Sequence, residues 1–341
     1  MTTNSGVAFY KYLPVSDPDS FQDLSLPMPT PGPKDLLVQV QAVSLNPVDS
    51  KFRQGVTSGT TVHVSGYDAV GTVTACGSEV TGFTPGDRVA YSGSSQRPGS
   101  EQRYQCVDYR LAAQAPASIS DRDLAALPLV TITAWELLFD KMGFTPRAGA
   151  NQGKKLLIIN GAGGVGSILG QLAKWAGLTV SATAGPQHQQ WITDVTGAQS
   201  VDYHADIEQQ LAAQEMTPLD GIAILYAPEP YMALAGKLIA PFGHIGTIVL
   251  PQQPLDVAIL KNKAASLDFE YMFARSDNDV APERQGQILA QVFALFAAGK
   301  LHSITSKELS PINADSVRAG TALVESGHGS GKVVITGGFE D

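Results

Sequence analysis

Cysteine is nearly absent from this chain, with two in 341 residues, Cys76 and Cys106. They form no metal-ligand spacing and no disulfide framework, which suits a reducing compartment. There is no long basic run, and the net charge is −9 with a pI of about 5.1. That balance argues against a nucleic-acid surface or an anionic membrane surface as partner. No apolar run reaches the length of a membrane span. Residues 1–12 show no basic segment leading into an apolar core, so no secretory leader is expected and the cytoplasm is the expected location. No short-period repeat is present. What the chain does have is apolar content, 43 %, and 34 glycines. At 341 residues it exceeds one compact core and is expected to hold two domains.

The most informative glycines follow Leu156-Leu157-Ile158-Ile159, an apolar run that reads as a buried parallel strand. Gly161, Gly163 and Gly166 then supply G-x-G-x-x-G, with Gly164 and Val165 inside it. Val165, Ile168, Leu169, Leu172, Ala173 and Ala176 recur at helical spacing up to Gly177. Strand, glycine turn and helix together are the setting of the dinucleotide fingerprint. The first glycine permits a tight turn and the second a close approach to a pyrophosphate. The third allows tight helix–strand packing, and the helix start offers N–H groups to the phosphates.

Upstream, residues 1 to about 125 read as β-rich. Strands are expected at 36–45, about 69–76 and 102–106, with Asn46-Pro47-Val48-Asp49 breaking the first and residues 84–91 a turn feeding a further strand. The Ser- and Gly-rich stretch 92–100 reads as an exposed loop. From about residue 121 the period changes. A helix is expected over 124–139, with Leu127-Pro128 near its start or at a break, then strands at 178–183, 221–225 and 244–250 with helices at 187–196 and 232–239. That alternation predicts a parallel sheet covered on both faces. Residues 285–299 form an amphipathic pattern. The tail strand 332–336 has the character of the first segment and is expected to return to it.

Six motifs occur in order: Asn46-Pro47-Val48-Asp49, Gly66-Tyr67-Asp68-Ala69-Val70-Gly71, Gly82-Phe83-Thr84-Pro85-Gly86-Asp87-Arg88-Val89, Thr133-Ala134-Trp135, the glycine fingerprint, and Gly331-Lys332-Val333-Val334. Over nearly its whole length the chain resembles the medium-chain dehydrogenase/reductase superfamily. Within it, the chain is similar to the quinone oxidoreductase and zinc-type alcohol dehydrogenase-like branch. The resemblance implies an α/β chain: a GroES-like β domain split between the chain ends, with an inserted Rossmann doubly wound parallel sheet. The expected boundaries are 1–127 and 276–341 for the first domain and 128–275 for the second. It also implies an NAD(P)H-binding cleft between the domains and a homodimer.

Zinc-dependent members carry Cys where this chain has Asn46, and Gly-His-Glu where it has Gly66-Tyr67-Asp68. An amide and a phenol are not ordinary zinc ligands, and the four-cysteine structural lobe is missing, so no zinc is expected. Without a Lewis acid, hydride transfer favours a conjugated acceptor, a quinone or α,β-unsaturated carbonyl, whose charge spreads to an oxygen that hydrogen-bond donors can hold. Asn46, Tyr67 and Tyr91 are the expected donors. Each also has a plainer reading, Asn46 as a turn residue and the tyrosines as packing groups. Thr133 is expected near the nicotinamide or as a helix residue. Phe273 is expected to close the pocket or to pack between domains, and Lys332 to contact the cofactor.

NADPH is the expected cofactor, with NADH possible. An NAD-preferring strand ends in an acid that binds the ribose 2′-hydroxyl. Here it ends on Ala184, followed by Gly185, Pro186, Gln187 and His188, which leaves no carboxylate to repel a 2′-phosphate. Gly185 and His188 are expected beside that phosphate. Two other functions fit the same motifs: a zinc-type alcohol dehydrogenase, and a non-catalytic NADPH-binding redox sensor or structural protein.

Overall fold

The computed structural model describes residues 3–57 and 59–340; Met1, Thr2, Ser58 and Asp341 lie outside the described residues. The chain divides into two units. One comprises Met1–Leu129, Phe273–Gly299 and Thr305–Asp341, the other Val130–Met272 and Lys300–Ile304.

The first unit is built on a seven-stranded sheet. Its central strand Asp35–Leu45 pairs antiparallel with Asp68–Cys76, Tyr104–Asp108 and the C-terminal Lys332–Ile335. The tail therefore does close onto the first segment. Valine, leucine and isoleucine side chains from these strands, with Phe9 and Phe21, form the core. A smaller sheet joins Gln22–Pro27, Thr3–Phe9 and His63–Val64, an element the sequence did not announce. The seven-stranded sheet, which includes the C-terminal strands Thr305–Leu309 and Lys332–Ile335, is the GroES-like sheet.

The second unit is a six-stranded sheet in which every pair is parallel. Numbered in chain order its strands run 3-2-1-4-5-6, the doubly wound Rossmann order. The switch point falls between Lys155–Ile159 and Leu219–Ile224. The flanking strand Gln199–Asp202 and the edge strand Ser266–Phe269 were not expected from the sequence.

Three local expectations are revised. Asn46-Pro47-Val48-Asp49 does not merely end a strand. It opens the helix Pro47–Gln54, because Asp49 accepts the Asn46 N–H at 2.7 Å and Pro47 suits the first turn. The expected helix over 124–139 is three pieces, Asp121–Ala125, Pro128–Trp135 and a π-helical turn Glu136–Lys141. Pro128 has no N–H to continue the first piece and starts the second. Finally, the strand expected at 244–250 is Ile239–Thr247 and contains Pro241. Its partner skips register there, from Leu219–Ile239 to Gly221–His244, and a bulge tolerates the missing donor.

Candidate active site

In the second unit the strand Lys155–Ile159 ends at Asn160, which takes φ 66°, a left-handed conformation in which Asn is among the tolerated non-glycine residues. The Asn160 N–H donates to Thr183 Oγ1 at 3.0 Å and the Gly161 N–H to the Thr183 carbonyl at 2.9 Å. These bonds fasten the turn to the neighbouring strand Thr179–Ala184. The fingerprint glycines separate by role. A Cβ on Gly161 would lie 2.5 Å from the Ala182 Cβ, and one on Gly166 would lie 2.5 Å from the Asn160 carbonyl oxygen. Both are excluded by close packing, the first against the Ala182 side chain and the second against backbone. A Cβ on Gly163 would meet nothing nearer than 3.4 Å, so that residue leaves open room. Gly163 is also the N-cap of Gly164–Trp175 and offers no side-chain cap, so the first N–H groups at Gly164, Val165 and Gly166 have no capping side chain. Such a turn fits a pyrophosphate.

The second strand ends on buried Ala184, and Gly185 caps a short turn, Pro186–His188. A Cβ on Gly185 would lie 2.9 Å from Gln187 Oε1 and 3.2 Å from the Tyr203 hydroxyl. Tyr203 follows the strand Gln199–Asp202 and was not singled out in the sequence. Only the parallel pairing Ala184–Asp202 brings it alongside. Thr133 is buried within Pro128–Trp135.

In the first unit, register creates a buried polar cluster. Ser44 faces Asp68 across one strand pair, and Leu45 faces Val333, next to Lys332, across the other. Asp68 has no solvent exposure, and its Oδ2 accepts Ser44 Oγ at 2.7 Å, Asn46 Nδ2 at 2.9 Å and Lys332 Nζ at 3.3 Å. Its Oδ1 accepts the Leu129 N–H at 2.7 Å. Lys332 Nζ also donates to the Leu45 carbonyl at 2.9 Å and, in a short contact, to Asn46 Oδ1. The Asn46 amide is thus engaged at both ends, with Nδ2 also 3.4 Å from the Ser44 carbonyl. Lys332 spends all its donors on this cluster. The sequence marked Asn46 and Lys332 as separate motifs; the sheet joins them.

Two more buried acids lie nearby. Asp49 carries the Asn46 N–H on Oδ2, while its buried Oδ1 has no hydrogen-bond partner among the described residues. Burial, reinforced by Glu101 and Asp68 and opposed by the Asn46 N–H and Lys332, holds its carboxyl well above the usual range. Glu101 accepts Ser65 Oγ at 2.6 Å, and burial raises its pKa from 4.5 to about 7, opposed by Ser65 and Arg53. Glu101 lies under Gly66, where a Cβ would meet Glu101 Cγ at 2.9 Å and where φ is +88°. Only glycine fits that combination, and it sets the entry to Tyr67.

Tyr67 is mostly buried and its ring lies 4.5 Å from that of Phe273 and 5.9 Å from that of Phe52. Phe52 sits in the Pro47–Gln54 helix and is 42 % exposed. No sequence signal marked it. Tyr91 is fully buried, donates its hydroxyl proton to Gln105 Oε1 at 2.7 Å, and has its phenol pKa pushed up by burial.

These residues do not fit a zinc ion. The Asn46 amide is committed, and the Lys332 ammonium against it would repel a dication. Among the described residues no group of three or more His, Cys, Asp or Glu is set for a metal. No described helix is long and apolar enough to cross a membrane.

The alcohol dehydrogenase GroES-like domain family matches residues 32–118. A zinc-type alcohol dehydrogenase-like protein from Staphylococcus epidermidis is 34 % identical over 333 residues, covering 96 % of this chain and 98 % of the relative. A solved protein from Rhizobium etli CFN 42, assigned to the zinc-dependent alcohol dehydrogenases, superposes with a TM-score of 0.93 at 38 % identity over the whole of both chains. The quinone oxidoreductase of Coxiella burnetii superposes with a TM-score of 0.79 at 25 % identity, covering 98 % of this chain and 99 % of its own.

Proposed function

The chain belongs to the medium-chain dehydrogenase/reductase superfamily, in its zinc-type alcohol dehydrogenase-like and quinone oxidoreductase branch, and from that premise we propose a zinc-independent, NADPH-dependent reductase of quinones or α,β-unsaturated carbonyls. The observation that carries the proposal is the Lys332–Asn46–Asp68 cluster. It fills the place of a metal-binding set with a hydrogen-bonded ion pair, so no Lewis acid is available to assist reduction of a simple ketone. The quinone oxidoreductase among the similar structures supports the acceptor class.

Gly161, Gly163 and Gly166 and the start of Gly164–Trp175 would hold the pyrophosphate of the cofactor. Gly185, His188 and Gln187 would meet its 2′-phosphate. When bound, NADPH supplies the hydride; water supplies the proton, giving a hydroquinone or a saturated ketone. Tyr67, whose phenol stands in the Gly66-Tyr67-Asp68 motif with its ring against those of Phe52 and Phe273, is the residue proposed to donate to the developing oxyanion. Asn46 and Tyr91 then act by holding strands and loop in place. The proposal places a homodimer in the cytoplasm.

The test is NADPH oxidation against a panel of quinones, enones and simple aldehydes, with the parent and Tyr67→Phe. Removing one oxyanion donor costs about 100-fold or more in rate, and water substituting for the phenol would reduce that loss. Turnover of quinones or enones that Tyr67→Phe slows supports the reading. Activity confined to alcohols and simple aldehydes sinks it.

A further inference from the structure

We propose that Phe52, Tyr67 and Phe273 form a stacking wall for planar conjugated rings, and that Phe52 selects cyclic quinones over short acyclic enones. This rests on the carbonyl-reductase reading above and names the acceptor class within it.

The three rings touch in a closed set: Tyr67–Phe273 at 4.5 Å, Phe52–Tyr67 at 5.9 Å and Phe52–Phe273 at 6.2 Å. The two Phe52 contacts are edge-to-face, at interplanar angles of 65° and 63°. Phe273 and Tyr67 are buried behind them, at 1 % and 8 % exposure. Phe52 alone of the three is exposed to solvent, at 42 % of the residue. An exposed ring packed on buried rings is a ready surface for another flat π-system, since offset and edge-to-face aromatic contacts are favoured beyond their area.

The ring is also rigidly mounted. Its helix is fixed at the start by the Asn46 N–H bonded to Asp49. At the other end the next residue, Arg53, is 1 % exposed, donates to the Leu13 carbonyl at 2.6 Å and to Glu325 at 3.0 Å, and lies over the rings of Tyr12 and Phe21. Phe52 is thus held between two anchors, which lowers the entropy lost when a ligand stacks on it.

The experiment compares the parent with Phe52→Ala, Phe52→Leu and Phe52→Trp. The acceptors are duroquinone, whose substituted ring resists thiol addition, and 3-penten-2-one. The ratio of kcat/KM for duroquinone over 3-penten-2-one is expected to fall about 3- to 10-fold in Phe52→Ala and Phe52→Leu, through KM. Phe52→Trp should hold the ratio. A ratio unchanged in the alanine and leucine variants overturns the wall. Calorimetric binding of duroquinone to the nucleotide-free protein separates this from the activity. If the parent reduces neither acceptor yet binds duroquinone about 3- to 10-fold more tightly than Phe52→Ala, the reductase reading fails and the wall stands. If parent and variant bind alike, or the parent does not bind, the wall falls whatever the turnover.

Discussion

Replacing Lys332 with methionine should destabilise the first unit severely. The side chain is 4 % exposed, and methionine fills much of its volume while removing the ammonium. The Leu45 carbonyl and Asn46 Oδ1 each lose a donor. Asp68, which has no exposure, keeps Ser44, Asn46 and the Leu129 N–H but loses its counter-charge. Breaking a buried ion pair from one side costs about 3–5 kcal/mol, because a charge stays behind unpaired. For a unit of this size that is a drop of about 6–20 °C in Tm. Adding Asp68→Asn removes the stranded charge, and the double variant should recover part of the loss. The assay is thermal and urea unfolding of the parent, both single variants and the double variant, combined as a cycle. A Lys332→Met protein within about 0.5 kcal/mol of the parent would refute the argument, as would a double variant no better than the sum of the singles. Either result would mean that hydrogen bonds alone satisfy Asp68.

Glu101→Gln tests the opposite kind of buried charge. Its folded pKa of about 7 lies above the ordinary 4.5, so its contribution to stability is full below pH 4.5 and is lost as pH rises through 7. The loss is on the order of 3 kcal/mol above that pH, and the variant should escape it while keeping an acceptor for Ser65. Tm at pH 8 should therefore rise relative to the parent and the pH 5–8 slope should flatten; a lower Tm at pH 8 would contradict this. At the cofactor end, Ala184→Asp should shift the NADPH/NADH ratio of specificity constants toward NADH by setting a carboxylate against the 2′-phosphate. A parent that prefers NADH, or a ratio that does not move, would show that this strand end does not read the ribose. Dialysed protein should hold no stoichiometric zinc by elemental analysis, and one tightly held ion per chain, with activity lost to a chelator, would return the alcohol dehydrogenase alternative. Light scattering should give twice the 35.9 kDa chain mass, and a monomer would remove the dimer from the proposal.

Much of the fold was legible because its signals are local. A run such as Leu156–Ile159 with a glycine turn and a periodic helix carries its own pattern, and the tail strand could be paired with the first segment by its character alone. Errors arose where one residue's backbone chemistry decided the outcome. Asp49 turned a chain break into a helix start, and a bulge let Pro241 sit in a strand. The short flanking strands Gln199–Asp202 and Ser266–Phe269 gave no clear period, since each exists through its parallel neighbour.

The site divides along the same line. By itself the sequence determined the glycine turn between strand and helix, the absence of zinc-type ligand residues at Asn46 and Tyr67, and the absence of an acid at Ala184, because residue identity at a spaced motif is sufficient for each. Only the tertiary structure decided what those residues are free to do. Strand register carries Lys332, 286 positions from Asn46, into contact with it and with Asp68, consuming the amide that the sequence left available. Packing likewise ties the Tyr91 hydroxyl to Gln105 and gathers Phe52, Tyr67 and Phe273 into one aromatic set. A side chain's donors are allocated by its neighbours in space, and those neighbours come from strands and helices that no sequence interval relates.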